Sequence, residues 1–292
     1  MKRSVMATAR EAPGRIPRFL LPVRAHRSYD PRMERAALIG SSLCYLFALG
    51  HTLFSLFKGR FRPGRFNVVA VAAGAGLQGW YLTLLGSQLH ACPIRTLPQV
   101  LVFLGWSMAL FYLAIGTSYR LSLMGAFTAP VVLFLQMAAV FIPVDKIDPV
   151  RGVDPWIETH ASLSLVAYGA LGLSCIAGIM YLVQERQLKS RHPSAIFHEL
   201  PPVTTLAVTV RRLLLAGFVV LTVSFAAGFL AHTPIPKVKI CFSALIWLLY
   251  AGLLADSWSG RLGNRRTAQG AMLVFLLALL LLPVIQRLST LG

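Results

Sequence analysis

The feature that most constrains this chain is a series of long apolar segments with almost no charge in them. Between Glu34 and Asp145 the sequence contains no acidic residue. Apolar residues make up 56% of the chain and charged residues only 13%, whereas about a quarter of a soluble domain is charged. A helix of about 20 apolar residues crosses a bilayer, because its backbone polar groups are all bonded internally. The sequence therefore predicts an all-α polytopic membrane bundle.

Eight segments are apolar and long enough to be membrane spans, and a seven-span alternative would merge or lose one of them. Short polar connections separate them, and residues 36–290 are predicted to form one transmembrane domain. The predicted spans are 36–57, 68–89, 98–119, 121–143, 160–184, 212–231, 238–256 and 268–288.

Residues 1–35 are predicted to be a basic, disordered N-terminal tail. The first 32 residues carry eight basic and two acidic side chains, and a segment rich in Arg and Pro without a long apolar run is typical of disorder. No apolar stretch follows the basic start, so this is not a signal peptide. Either the native start is Met33, directly before the first span, or the tail is tolerated against the charge bias of the loops.

The net charge of +18 is interpreted as a topology signal and not as a nucleic-acid surface, because Lys and Arg concentrate in cytoplasmic loops. With both termini external, thirteen basic residues lie inside and six lie outside after the first span. The inside set is Lys58, Arg60, Arg62, Arg65, Arg120, Arg186, Lys189, Arg191, Arg211, Arg212, Arg261, Arg265 and Arg266, and the outside set is Arg95, Lys146, Arg151, Lys237, Lys239 and Arg287.

The sequence also argues against several function classes. No Asp, Glu, Lys or Arg lies deep in a predicted span, whereas ion-coupled pumps and transporters use ionisable residues there. Walker A, GxSxG and HExxH motifs are absent, and the four cysteines form no CxxC pair, so soluble-type catalysis and zinc-ribbon chemistry have no visible residues.

The histidines at the predicted outer face are the candidate ligand residues. His160 begins the fifth span, and His90 and His232 fall at the same face, as does Trp156, one turn before His160. Two imidazoles can hold a haem iron while the porphyrin lies against apolar and aromatic surface. The alternative for each histidine is an interfacial hydrogen bond to a loop carbonyl, and for Trp156 an ordinary aromatic belt.

Three of the basic residues at that face are candidates to contact the ligand. Arg95, Lys237 and Lys239 are placed where porphyrin propionates could meet them, and ordinary loop charges are the alternative for each.

Several segments in the right order resemble the cytochrome c assembly protein family, the CcsA-like and YpjD-like integral membrane proteins that handle haem. The resemblance covers about residues 36–288. It is carried by Cys92–Leu97, Gly125–Pro130, His160–Tyr168, Tyr181–Lys189, Leu200–Pro202, Lys239–Tyr250, Trp258–Arg261 and Arg265–Arg266.

The resemblance implies an eight-span bundle that binds haem and presents it at the outer face to apocytochrome c. Fully active family members carry four ligand histidines and a Trp-rich outer segment. Only His160 matches a ligand position here, and the other three positions hold Gly79, Val238 and Ala255. The Trp-rich segment is missing, and 231–236 stand between the sixth and seventh spans.

These observations and the resemblance favour a haem-binding assembly factor of a bacterial-type inner membrane over a stand-alone enzyme. His160 is the predicted axial ligand of the haem iron, with His232 or His90 as the second and Trp156 as part of the ligand's shelf. The resemblance implies apocytochrome c and other assembly proteins of the membrane as partners, and no nucleic acid. A non-haem scaffold of the same fold and a small-molecule permease are the alternatives.

Overall fold

The computed structural model describes residues 31–58, 65–116, 122–142, 154–190, 201–232 and 236–290. These residues form eight α-helices and no strand, and all eight helices are long and apolar enough to cross a membrane. In chain order they are α1 (Pro31–Phe57), α2 (Arg65–Leu89), α3 (Leu97–Gly116), α4 (Ser122–Phe141), α5 (Pro155–Ser190), α6 (Val203–Phe229), α7 (Lys237–Trp258) and α8 (Asn264–Thr290). The predicted all-α membrane bundle of eight spans is confirmed.

The predicted tail lies outside the described residues as far as residue 30, and α1 already begins at Pro31. The connection between the third and fourth spans, at 117–121, lies outside them as well.

Two helices extend well beyond the predicted spans. α5 begins five residues before the predicted start at 160 and ends six residues after 184, and α6 begins nine residues before 212. The 36 residues of α5 give a length of about 54 Å, against about 30 Å of hydrocarbon. Hydropathy detects only the part of a helix that crosses the apolar layer, so the polar ends of these helices were missed.

α5 is the central helix of the bundle. It packs most extensively against α6 and also contacts α3, α4 and α8. Glycines allow the closest of these approaches, since small residues let membrane helices pack backbone to backbone. At Gly169 an added Cβ would lie 2.8 Å from the carbonyl carbon of Ser107 in α3, and at Gly178 it would lie 3.1 Å from the carbonyl oxygen of Ala268 in α8.

Buried glutamines join the first four helices. The side-chain amide of Gln78 in α2 accepts from the Tyr45 hydroxyl of α1 at 2.9 Å and donates to the Val102 carbonyl of α3 at 2.9 Å. Gln136 in α4 donates to the Leu38 carbonyl of α1 at 2.9 Å. Satisfied polar groups of this kind hold membrane helices together in one register.

The backbones of α5 and α7 do not approach each other closely within the described residues, although both helices pack on α6 and on α8. A space is therefore left between the N-terminal ends of α5 and α7, and this space positions the candidate site.

Candidate functional site

A cavity of about 290 Å³ opens at one end of the bundle. Its walls are the first part of α5, the last part of α6 and the first part of α7, completed by Ile94, by Val100 of α3 and by Leu282 of α8. The lining is mostly apolar, and its ionisable side chains are His160, Tyr168 and Lys239. A mostly apolar cavity with a few polar groups is the usual form of a small-molecule or cofactor site.

α5 presents one face to this cavity. Residues at spacings of three and four lie on the same side of an α-helix, and the lining residues of α5 follow that spacing: Ile157, His160, Ala161, Ser164, Leu165 and Tyr168. With about 100° per residue, Trp156 lies roughly a quarter turn or more from the middle of this face. Its side chain is 39% exposed, and it is not among the lining residues.

The His160 ring has a fixed tautomer. Its Nδ1 atom lies 2.8 Å from the backbone carbonyl oxygen of Ser224 in α6. A carbonyl oxygen can only accept, so Nδ1 carries a proton and donates it, and in the neutral form of the ring the lone pair is on Nε2. Within the described residues no hydrogen bond engages Nε2. Metal-ligating histidines commonly donate their second ring N–H to a backbone carbonyl in this way.

A small hydroxyl network fixes the position of the same turn of α5. The Ser224 hydroxyl donates to the His160 carbonyl at 2.7 Å and lies 3.3 Å from Nδ1. The Ser164 hydroxyl is 2.6 Å from the Ser224 hydroxyl, and since the latter already donates to His160, Ser164 is the donor of that pair. α5 and α6 are thereby held in one register at the cavity.

Gly228, one turn after Ser224 on α6, makes room for the His160 ring. A Cβ at this position would lie 3.1 Å from Nδ1 and 3.4 Å from Cγ of the ring. Sequence reasoning missed both residues. The signal that could have found them is the pair of small residues at a spacing of four, beside aromatic residues at 225 and 229.

Aromatic rings form the α6 and α7 side of the cavity. Phe225 and Phe229 both line it and meet edge to face, with ring centroids 5.0 Å apart. Behind Phe225 stands Trp247 of α7, at a centroid distance of 6.4 Å and with nearly parallel rings. The Trp247 indole N–H donates to the Thr222 hydroxyl at 3.0 Å, which fixes its plane. This wall suits a flat apolar ligand.

The other two predicted histidines lie at the same end of the bundle but do not line the cavity. His90 is exposed, follows α2 with a φ of 51°, and its Nδ1 lies 3.1 Å from the Gln88 carbonyl oxygen. His232 is exposed, and its backbone N–H donates to Asp154 at 2.7 Å. Asp154 also accepts from the Trp156 N–H at 2.9 Å, so it caps the helix that carries His160.

Cys92 lies beside the start of α5 and not in the cavity lining. Its N–H donates to the Glu158 carboxylate at 3.0 Å, and its sulfur accepts from the Ser162 hydroxyl at 3.2 Å. Burial raises the pKa of this thiol, the Glu158 charge adds to the rise, and the Ser162 hydrogen bond opposes it. The thiol form is therefore favoured, whereas metal ligation needs the thiolate.

The donor set at this site fits a porphyrin-bound iron better than a bare ion. No group of three or more His, Cys, Asp or Glu side chains that could hold a metal ion occurs in the described part of the chain. A single free imidazole nitrogen is enough when the macrocycle supplies the equatorial ligands. His160 Nε2 would hold the iron, and Phe225 and Phe229, whose planes are perpendicular to each other, would contact the macrocycle, at most one of them face to face.

The resemblance implies a ligand histidine in the second span of the family, and Gly79 holds that position here. Gly79 lies against Trp106 of α3, and an added Cβ would be 3.0 Å from the indole nitrogen. The indole itself donates to the Ala75 carbonyl at 3.1 Å.

A family model described as "Cytochrome C assembly protein" matches residues 94–288. The chain belongs to the cytochrome c assembly protein family. Every residue that lines the cavity falls within the matched range, as do His232 and Trp156, whereas His90 precedes it. The resemblance stated from the sequence is confirmed.

Three relatives illustrate how far the similarity extends. Protein HemX of Brevibacillus brevis is 28% identical over 197 residues, which are 64% of this chain and 72% of HemX. An uncharacterized 28.8 kDa protein of Azospirillum brasilense is 29% identical over 57% of this chain and 61% of its own length. The cytochrome c biogenesis protein CcsA of Chlorella vulgaris is 29% identical over 96 residues, 31% of this chain and 30% of CcsA.

Proposed function

We propose that this membrane protein binds haem in the α5–α7 cavity through Nε2 of His160 and holds it for cytochrome c assembly. The observation that carries the proposal is the hydrogen bond from Nδ1 to the Ser224 carbonyl at 2.8 Å. It leaves Nε2 as a free ligand atom on a residue that lines an apolar cavity with an aromatic wall. Membership of the family and the similarity to CcsA support haem as the ligand.

The proposed location is a bacterial-type inner membrane, with the cavity at its outer face. The larger number of basic residues on one side of the predicted spans supports this orientation. It places the C-terminal end of α5 and the N-terminal end of α8, which lie away from the cavity, in the cytoplasm. Haem held at the outer face would be available to apocytochrome c and to other assembly proteins of the membrane. The protein's share of the chemistry is ligation and orientation, and the redox chemistry belongs to the iron.

His232 is the better of the two candidates for a second axial ligand. Its backbone is bonded to Asp154, which caps α5 only six residues before His160. His90 is the alternative, and it follows α2 at the same end of the bundle. Trp156 remains a candidate for the rim of the site, beside the first turn of α5.

The test is a titration of the detergent-purified protein with ferrous haem, followed by its absorbance in the Soret region. We expect one haem per chain and a band typical of histidine ligation. His160→Ala should abolish this band, and His232→Ala should shift it towards the spectrum of a site with a single histidine. Trp156→Phe should change the affinity by a few-fold at most.

Two results would count against the proposal. The first is the lack of a stoichiometric band in the wild-type protein, which would favour a scaffold that has kept the fold and lost the ligand. The second is a band that His160→Ala leaves unchanged. A shift with His90→Ala and not with His232→Ala would assign the second ligand to His90 instead.

A further inference from the structure

Among the described residues that line the cavity, Lys239 is the one Lys or Arg side chain. Lys239 stands in the first turn of α7, is half-buried, and lines the cavity together with Pro236 and Ser243. No Asp or Glu is among the lining residues in the part of the chain that the structure describes. The described part of the site therefore combines an imidazole and aromatic side chains with an ammonium group, and no described carboxylate lines the cavity beside it.

Two acidic side chains near the start of α5 accept hydrogen bonds from backbone N–H groups. The Glu158 carboxylate accepts from the Cys92 N–H, and the Asp154 carboxylate accepts from the N–H groups of Trp156 and His232. Within the described residues no ion pair or side-chain hydrogen bond involves Lys239. A half-buried ammonium group without an anion is costly, so a ligand that brings an anionic group would relieve that cost.

The structure also distinguishes Lys239 from Lys237 and Arg95, the other two residues that the sequence placed where propionates could meet them. Lys237 lies two residues earlier in the same helix, is exposed, and does not line the cavity. Arg95 lies in the α2–α3 connection and does not line it either. The positive end of the α7 dipole is on the same side as Lys239, because Pro236 directly before the helix is a lining residue.

We propose that Lys239 binds a carboxylate of the cavity's ligand, so that the site selects a planar macrocycle with acidic side chains over the same macrocycle without them. This inference rests on the haem site proposed above and adds its selectivity and the orientation of the ligand. The carboxylate edge would point to the start of α7, while the ring lies along α6 and its centre meets α5.

The experiment compares two ligands that differ only in charge. Iron protoporphyrin carries two propionates, and its dimethyl ester has the same ring and iron without them. Both are titrated into the full-length protein in a neutral detergent. Four proteins are compared: wild type, Lys239→Gln, Lys239→Arg and the matched control Lys237→Gln.

We expect the wild type to bind the diacid about tenfold or more tightly than the diester, since one charge-assisted hydrogen bond contributes on that scale. In Lys239→Gln the affinities for the diacid and the diester should be about equal. Lys239→Arg and Lys237→Gln should retain it. The Soret position of each complex reports His160 ligation separately, so a variant that fails to fold is recognised by the loss of both ligands.

Equal affinity of the wild type for diacid and diester would overturn the inference while leaving the haem site intact. The same holds if Lys239→Gln keeps the wild-type preference, or if Lys237→Gln loses as much as Lys239→Gln. Failure of the wild type to bind either ligand would refute the haem site itself, and this inference with it.

Discussion

Gly228→Ala tests whether the His160 ring is held as the structure describes. The new methyl group would lie 3.1 Å from Nδ1, 3.4 Å from Cγ and 3.5 Å from Cε1 of the ring. Carbon atoms in van der Waals contact are about 3.5–4.0 Å apart, so the ring must move away by about 0.4 Å or the two helices must separate.

Either movement affects the bond that fixes the tautomer. Moving Nδ1 by that amount would lengthen its 2.8 Å bond to the Ser224 carbonyl to the upper end of the usual range, about 3.2 Å. Loss of a partner that orients a metal ligand typically costs about 10- to 100-fold in metal affinity. We therefore expect Gly228→Ala to weaken haem binding by about 10- to 100-fold. Overpacking would cost about 1–3 kcal/mol, and the better helix propensity of alanine would return up to about 1 kcal/mol.

The assay is a haem titration followed in the Soret region, with thermal unfolding in the same detergent as a measure of folding. Gly252→Ala in α7 is the matched control, because an added Cβ there would meet nothing within 4 Å. It should bind haem like the wild type. Wild-type affinity in a well-folded Gly228→Ala protein would refute the placement of the ring between Ser224 and Gly228 in the haem-bound state.

Three further predictions concern other parts of the molecule. Gly169→Ala should destabilise the fold severely, because its Cβ would lie 2.8 Å from a backbone atom of Ser107, and a lower midpoint of thermal unfolding than for Gly252→Ala would show this. Gln78→Leu breaks two buried hydrogen bonds to α1 and α3 and should lower the free energy of unfolding by roughly 1–2 kcal/mol, measured by denaturation in mixed micelles. An unchanged free energy of unfolding would mean that the glutamine contributes nothing to stability. Cys92 should react slowly with a maleimide at neutral pH, because its raised pKa keeps it in the thiol form, and its reaction rate should reach its plateau at a higher pH than that of an ordinary cysteine. Glu158→Gln should speed the reaction, and an unchanged rate would contradict the contribution of the Glu158 charge to the pKa.

The sequence predicted the number and order of the helices because the bilayer imposes one strong rule on apolar length. It was less successful where helices leave the hydrocarbon, as at the start of α6. The segment 203–211 has Thr and Arg among its apolar residues, and the helix that it begins packs against the longer α5. Contacts between distant segments of this kind are not visible in local hydropathy.

The candidate site was predicted in part. His160 is visible in the sequence as a histidine at the mouth of a span, and it does line a cavity. Its partners on α6 are not visible in the sequence, because Ser224 acts through its backbone carbonyl and Gly228 through the absence of a side chain. Trp156 stands one turn before His160 and is not among the lining residues, so its place beside the ligand stays a prediction. The roles of His90 and His232 stay predictions.

Chemical rescue of His160→Gly tests directly whether His160 ligates the haem iron. Removing the side chain leaves space beside the aromatic wall and takes away Nε2, so haem should lose its histidine-type Soret band. Added imidazole should restore the band in a saturable manner, whereas the wild type should not respond to the same concentrations. A His160→Gly protein that keeps the wild-type band without imidazole would contradict the assignment of His160 as the iron ligand.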